Sequence, residues 1–177
     1  GHFESDVCVG CSLIDMFVKG ENNLENAYKV FDQMSERNIV TWTLMITRCM
    51  QMEFPREAVR FFMDMVLSGF ESDKFTLSSV FSACAELEDL FLGKQLHSWA
   101  IRSGLAVDVG CSLVDMYVKC SVDGSVDDCR KVFDRMQDHS VMSWTALITG
   151  YVQNCNLDAE ALNLFCEMIT QGRVQPN

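Results

Sequence analysis

Proline is nearly missing: only 2 occur in 177 residues, and no stretch is dominated by glycine with serine or by glutamine with asparagine. That composition excludes a collagen-like chain, a disordered linker and a low-complexity segment. No apolar run approaches the roughly 18 residues a membrane-spanning helix needs. A soluble chain with no membrane partner is therefore expected. Gly1-His2-Phe3-Glu4-Ser5-Asp6 lacks the basic start and apolar stretch of a secretory signal and the Arg/Ser richness of a transit peptide, so no targeting segment is expected in this fragment. Basic residues are also scarce, 14 Lys and Arg against 25 Asp and Glu for a net charge of -11. A protein that holds phosphate non-specifically normally carries the opposite balance. Nine cysteines, an odd number without regular spacing, do not form a disulfide framework. They are expected to be reduced, core-filling thiols of an intracellular protein.

What the chain does have is self-similarity, which outranks every other signal. Thr41-Trp42-Thr43-Leu44-Met45-Ile46-Thr47 returns as Ser143-Trp144-Thr145-Ala146-Leu147-Ile148-Thr149, a shift of 102 positions. Lys29-Val30-Phe31-Asp32-Gln33-Met34 returns as Lys131-Val132-Phe133-Asp134-Arg135-Met136 with the same shift, whereas Gly10-Cys11-Ser12-Leu13-Ile14-Asp15-Met16 returns at Gly110 after only 100. The second copy has lost two residues and regained them in Cys120-Ser121-Val122-Asp123-Gly124-Ser125, which reads as an expanded loop.

Inside the long period lies a shorter one, an apolar stripe at i, i+3, i+4 and i+7 that marks an amphipathic helix. It occurs ten times. First helices carry Gly10/Leu13/Ile14/Phe17, Trp42/Met45/Ile46/Cys49, Leu77/Val80/Phe81/Cys84, Gly110/Leu113/Val114/Tyr117 and Trp144/Leu147/Ile148/Tyr151. Second helices carry Ala27/Val30/Phe31/Met34, Ala58/Phe61/Phe62/Met65, Gly93/Leu96/His97/Ala100, Cys129/Val132/Phe133/Met136 and Ala161/Leu164/Phe165/Met168. Every second stripe opens on Ala, Gly or Cys, which lets two helix backbones approach closely. Pro55 suits a first helical turn, Ser125 suits a cap, and Gly69, Gly104 and Gly172 stand where helices should stop. One helix pair cannot bury its stripe, whereas stacked pairs share a continuous core, so the expected fold is an all-α solenoid of five helix-turn-helix repeats.

The tetratricopeptide spacing of Trp, Leu-Gly and Tyr is absent. Instead, Val40-Thr41-Trp42-Thr43 with Ala58-Val59-Arg60-Phe61-Phe62-Met63-Asp64-Met65 and Ser68-Gly69-Phe70-Glu71-Ser72-Asp73 resembles a pentatricopeptide repeat, as does Glu160-Ala161-Leu162-Asn163-Leu164-Phe165-Cys166-Glu167-Met168 with Gln175-Pro176-Asn177. The alternating lengths resemble the PLS subclass of plant pentatricopeptide repeat proteins. On that resemblance residues 7–38 are a short repeat, 39–73 ordinary, 74–108 long with Gly93-Lys94-Gln95-Leu96-His97 as its mark, 109–140 short and 141–177 ordinary. Residues 1–6 look like the tail of a preceding long repeat, because they mimic Gly69-Phe70-Glu71-Ser72-Asp73.

The resemblance implies a right-handed superhelix that binds single-stranded RNA in a plant organelle, a chloroplast or alternatively a mitochondrion. It also implies that each repeat addresses one base through the fifth residue of its first helix and the last residue of the repeat. The pairs are then Cys11 with Asn38, Thr43 with Asp73, Ser78 with Asp108, Cys111 with Ser140, and Thr145 with Asn177. Thr with Asp resembles the family's guanine combination and Thr with Asn its adenine combination. A carboxylate that only accepts hydrogen bonds suits a guanine N–H, and an amide offers adenine a donor and an acceptor. Cys8, Val40, Phe75 and Met142 match the family position that wedges between adjacent bases. The expected target has guanine and adenine separated by two unread nucleotides.

Sharper chemistry has little support. Cys8-Val9-Gly10-Cys11 is a C-x-x-C, but zinc needs four ligands or three plus water and the matching copy has only Cys111, so no metal is expected. His97 stands in a slot that is Phe in the other four repeats and reads as a hydrogen-bonded core histidine; His139 falls in a turn and His2 in the leading tail. No H-x-E followed by P-C-x-x-C occurs, so the zinc deaminase signature is absent and neither catalysis nor a cofactor is expected. Trp42 and Trp144 head core stripes and are expected to be buried rather than stacked on bases. Lys19, Arg48, Lys94 and Lys119 either favour the groove locally or, as scattered charges more commonly do, mark a solvated helix face. Leu13/Phe17 and Leu164/Met168, at the two ends of the stack, are expected to be exposed and to drive self-association. A protein-interaction scaffold that offers an acidic concave surface to protein partners is the alternative function.

Overall fold

The ten stripes become ten helices in the computed structural model: α1 (His2–Glu21), α2 (Leu24–Gln33), α3 (Ile39–Gln51), α4 (Pro55–Leu67), α5 (Lys74–Leu87), α6 (Leu90–Arg102), α7 (Gly110–Lys119), α8 (Asp127–Arg135), α9 (Val141–Cys155) and α10 (Asp158–Thr170). The structure describes residues 2–21, 24–121, 126–155 and 158–170, and no strand occurs among them. The architecture is an all-α helical-repeat array. The chain falls into two units, Gly1–Ala83 and Cys84–Asn177, with α5 running through the boundary. In the first unit α1 packs on α2 and α3, and α3 on α4. In the second, α7 packs on α6, α8 and α9, and α9 on α8 and α10.

Small residues allow these contacts. Ala27, Ala58 and Cys129 have no exposed surface, and a Cβ added to Gly93 would stand 2.4 Å from the Met116 sulfur. Large rings then fill the seams. Phe31 meets Trp42 edge-on with ring centroids 4.8 Å apart and Phe61 at 5.4 Å; Phe133 meets Trp144 edge-on at 4.6 Å. Trp42 and Trp144 are buried, as their stripes require. Arg37 closes the first seam, with its guanidinium 4.5 Å from the Phe31 ring centre and its Nε donating to the Phe31 carbonyl. At the matching position 102 residues on, His139 stacks flat on Phe133 at 4.0 Å. Gly69 and Gly104 end their helices with φ of 82° and 75°, and Pro55 opens α4.

Several expectations change. Residues 2–6 belong to α1, so they do not copy the non-helical Gly69–Asp73 they resemble in sequence. Leu164 and Met168 are buried because α10 turns that side onto α9; its exposed apolar residues are Leu162, Phe165 and Ile169. At the other end Leu13 is partly exposed and Phe17 half-buried. Cys49, Cys84, Cys120 and Cys129 are core thiols, and burial pushes the first three up to about 12, 12 and 11, whereas Cys8 and Cys166 are exposed. Ser125, Gly172 and Asn177 lie outside the described residues, as does the side chain of His2.

His97 is the hydrogen-bonded histidine expected of its slot, half-buried with Nδ1 2.9 Å from the Tyr117 hydroxyl. Burial lowers its pKa from 6.5; Arg135 lowers it further and Asp128 opposes. The unfolded chain therefore takes up this proton first as pH falls. The contribution of His97 is fully present above its unfolded value and is lost as pH falls through the lower folded value. Between about pH 7.5 and about pH 5 the thermal midpoint of the parent is expected to fall more steeply than that of His97→Gln; parallel curves would contradict this assignment. Glycine packing gives a second check. A Cβ on Gly20 meets nothing within 4 Å, whereas one on Gly150 falls 2.7 Å from a Val118 methyl. Gly20→Ala is expected to stabilise by about 0.5–1 kcal/mol through helix propensity, and Gly150→Ala to destabilise by about 1–3 kcal/mol through overpacking, both read from urea midpoints.

Candidate nucleic-acid interface

Three of the residues expected to close repeats cap the helix that follows them. Asn38 precedes α3; its Oδ1 accepts from the Thr41 amide at 3.1 Å, and Thr41 Oγ1 accepts from the Asn38 amide at 3.0 Å. Asp73 precedes α5, and its Oδ1 accepts from the Thr76 amide at 2.7 Å. Ser140 precedes α9 and exchanges reciprocal bonds with Ser143 at 3.2 and 3.0 Å. These arrangements satisfy amides that the start of a helix leaves unpaired. The cap partners Thr41, Thr76 and Ser143 are fully buried. Their part in the site is missing from the sequence reading, although N-x-x-T, D-x-x-T and S-x-x-S before apolar stripes are the available signal.

Capping fixes where the neighbouring side chains stand in the first unit. Cys8, Cys11, Asn38 and Val40 line one open cavity of about 680 Å³, with Glu36 and Arg37 at its edge. Val40, Thr43, Asp73 and Phe75 line a second of about 480 Å³. Val40 borders both. It is 60% exposed and Phe75 is 65% exposed, although each lies in the first turn of a helix where apolar residues are normally covered. Thr43 is half-buried, with Oγ1 2.7 Å from the Thr76 hydroxyl, and so is coupled to the residue whose amide Asp73 holds. Two residue pairs and their three bordering apolar or thiol side chains are thus gathered along one groove. Burial, then the nearby Cys8 and Asp15, raise the Cys11 pKa, so Cys11 presents a neutral thiol.

In the second unit Cys111 Sγ lies 3.4 Å from Ser140 Oγ, so this pair is in direct contact. Met142 and Thr145 are exposed on the first turns of α9. Asp108 departs from the expected register. Val109 caps α7 without a side-chain hydrogen bond, and Asp108 sits in the preceding turn. It stands three residues before Cys111, the spacing of Phe75 and Met142 from their fifth residues, because α7 begins only at its first stripe residue. Ser78 is half-buried on α5, in the first unit.

Four of the nearby cations are committed to carboxylates, whereas the exposed Lys74, next to Asp73, holds its ammonium 5.5 Å from the Phe75 ring centre. Arg48 binds Asp15 at 2.7 Å and also contacts Gln51, Lys19 pairs with Asp15, Lys119 with Asp115 at 2.9 Å, and Lys94 with Asp128 at 2.9 Å. Arg48 is only 11% exposed and ties α3 to α1. These residues shape the walls more than they attract phosphate. Among the described residues no group of His, Cys, Asp and Glu is arranged to hold a metal ion, and no helix is long and apolar enough to cross a membrane.

Comparison with known proteins agrees with this geometry. A PPR repeat family model matches residues 37–86, and a PPR repeat model matches 11–39, 112–141 and 142–173. A pentatricopeptide repeat-containing protein of Arabidopsis thaliana, named as chloroplastic, is 86% identical over all 177 residues, which make up 21% of its length. Another from that plant, named as mitochondrial, is 41% identical over 172 residues, 96% of this chain and 16% of its own length. A putative pentatricopeptide repeat-containing protein from Arabidopsis thaliana is 39% identical over 173 residues, 97% of this chain and 23% of its own. The chain therefore spans about a fifth of the length of these relatives. Packed helix pairs in each unit, with repeat models that match most of the chain, establish that the chain belongs to the PPR repeat family, whose proteins are generally non-enzymatic, organellar and RNA-binding.

Proposed function

We propose that this chain is a sequence-selective module for single-stranded RNA in a chloroplast protein of the PLS subclass, reading about one base per repeat and acting by holding a strand for RNA processing. The observation that carries this reading is the shared wall at Val40. A base entering either cavity lies against an exposed apolar side chain, with a polar pair behind it: Cys11 and Asn38 in one, Thr43 and Asp73 in the next. An aromatic wall such as Phe75 supplies on the order of 1–3 kcal/mol per base in single-strand binders. The direct contact of Cys111 with Ser140 and the exposure of Met142 and Thr145 extend the same reading to the second unit.

Selectivity here comes from side-chain chemistry more than charge. Net charge is -11 and Arg48, Lys94 and Lys119 are paired with carboxylates, so the dependence of affinity on salt is expected to be shallow. Charge of this sign also favours the alternative reading, a scaffold for basic proteins, and one titration separates the two.

Asp73→Asn is the cleanest substitution, because asparagine caps helices as well as aspartate does and the Thr76 amide keeps its acceptor. With RNAs that differ only in the base facing Thr43 and Asp73, the parent is expected to prefer guanine over adenine by roughly tenfold, about 1.4 kcal/mol, and Asp73→Asn to reverse the order. Thermal midpoints should stay together. Equal affinity for both RNAs with tight capture of a basic peptide would replace the RNA reading with the scaffold.

A further inference from the structure

A lysine breaks a pattern beside the second cavity. The residue before each of Cys8, Val40 and Met142 is a β-branched aliphatic, Val7, Ile39 and Val141, whereas Lys74 precedes Phe75. Phe75 is itself the one ring among Cys8, Val40, Phe75 and Met142. Helix stability does not call for this lysine, because it opens α5 and its ammonium opposes the positive end of the helix dipole. Lys74 is exposed and makes no ion pair among the described residues, whereas Arg48, Lys19, Lys94 and Lys119 each hold a carboxylate. Its ammonium instead lies 5.5 Å from the Phe75 ring centre, within reach of the attraction between a cation and an aromatic face.

Phe75 lines the cavity of about 480 Å³ with Val40, Thr43 and Asp73, and Lys74 is not part of that lining. A base that enters this space leaves its phosphate outside, and the ammonium beside the ring is the free cation there to meet it. We propose that Asp73, Lys74 and Phe75 grip a single nucleotide: Asp73 at the base edge, Phe75 at the base face and Lys74 at the phosphate. This inference rests on the RNA reading and adds to it a contact that is blind to the base. The neighbouring cavity carries Val7 and Cys8 at the same two positions, neither a cation nor a ring, and its Arg37 is tied to Asp32 and the Phe31 carbonyl. The nucleotide held at α5 is therefore the anchor of the strand in the first unit, and its neighbour follows in register.

The test titrates the whole 177-residue chain with two RNAs that differ only in the base facing Thr43 and Asp73. Each titration is run at about 50 and about 200 mM salt, and one cation on a single strand contributes a slope of about 0.7. Over that range Lys74→Gln should lose about 2.6-fold less affinity than the parent, by the same factor for both bases. Lys74→Arg should keep the salt dependence of the parent. Phe75→Ser should weaken both RNAs by roughly tenfold and leave the salt dependence unchanged. All three side-chain changes are at exposed positions, and thermal midpoints check that each variant folds. A neutral methylphosphonate placed at each linkage in turn should weaken the parent most at a linkage flanking the base that faces Asp73, and this effect should vanish in Lys74→Gln. A parent that discriminates the two bases while Lys74→Gln keeps its salt dependence overturns the grip and leaves the base reading standing. An effect of Lys74→Gln on one base alone also overturns it, since a phosphate contact carries no sequence information. A parent that binds neither RNA overturns the RNA reading and the grip together.

Discussion

Contact between one helix pair and the next carries this fold, because no pair covers its own apolar stripe. The stripe of α3 is covered only when Phe31 from the preceding pair and Phe61 from its own close around Trp42. Truncating such a ring in a packed core costs about 3–5 kcal/mol, a large part of the stability of a chain this size. Small residues set how near the backbones come, and rings fill what remains. Where Gly110 and Val132 replace Trp42 and Phe61, the junction is held by other means: the His97–Tyr117 hydrogen bond, the Lys94–Asp128 ion pair and Met116 against Gly93. Interactions along such an array are nearest-neighbour, so a loosened junction weakens its own rung without dissolving the others.

The same junctions place the polar groups of the groove. Asn38, Asp73 and Ser140 each close one repeat and cap the next helix, and helix capping admits few residue types: Asn, Asp, Ser and Thr lead. Those side chains are short and carry hydrogen-bonding groups close to the backbone. A residue chosen to start a helix is thereby a residue suited to contact a base edge, and exchange within this set changes the chemistry of the groove while keeping the helix. Replacement by an apolar residue loses both. Thr43 is bound into the same arrangement through Thr76, so its hydroxyl is positioned before any ligand arrives.

Most of the fold was readable because one pattern recurs ten times: the stripe residues Ile14, Met45, Leu77, Val114 and Leu147 are all fully buried, and the two tryptophans with them. Reading failed where position depends on something other than periodicity. Leu164 and Met168 were expected at an open end, yet they belong to the stripe that faces α9; Leu162, Phe165 and Ile169 lie outside that face. The start of α7 depends on a turn with no proline and no capping side chain, so the sequence offers no punctuation and Asp108 falls out of register. Arg48 does line the groove, but its pairing was hidden because its partner, Asp15, is 33 residues away. Of the candidate site, the pairs Cys11/Asn38 and Thr43/Asp73 came from the resemblance to pentatricopeptide repeats, and the hydroxyl linkage between Thr43 and Thr76 had no signal, since it joins two helices.

Charge then decides what kind of recognition this surface supports. A strand held mainly by phosphate contacts needs free cations along its path, and each gives a similar gain whatever the base. Arg48, Lys19, Lys94 and Lys119 instead neutralise carboxylates of the protein itself. On the proposed RNA-binding reading, binding draws on the spaces between Cys8, Val40 and Phe75, and its gain depends on whether the base satisfies the pair behind it. A buried polar group left unpaired costs about 1–3 kcal/mol, comparable to the gain from one aromatic stacking contact, so in that reading a mismatched base would cancel its own stacking. Low general attraction is then the condition under which a few polar pairs would discriminate: an acidic surface would hold back the strand that does not fit, and the number of matched rungs would set the affinity of the one that does.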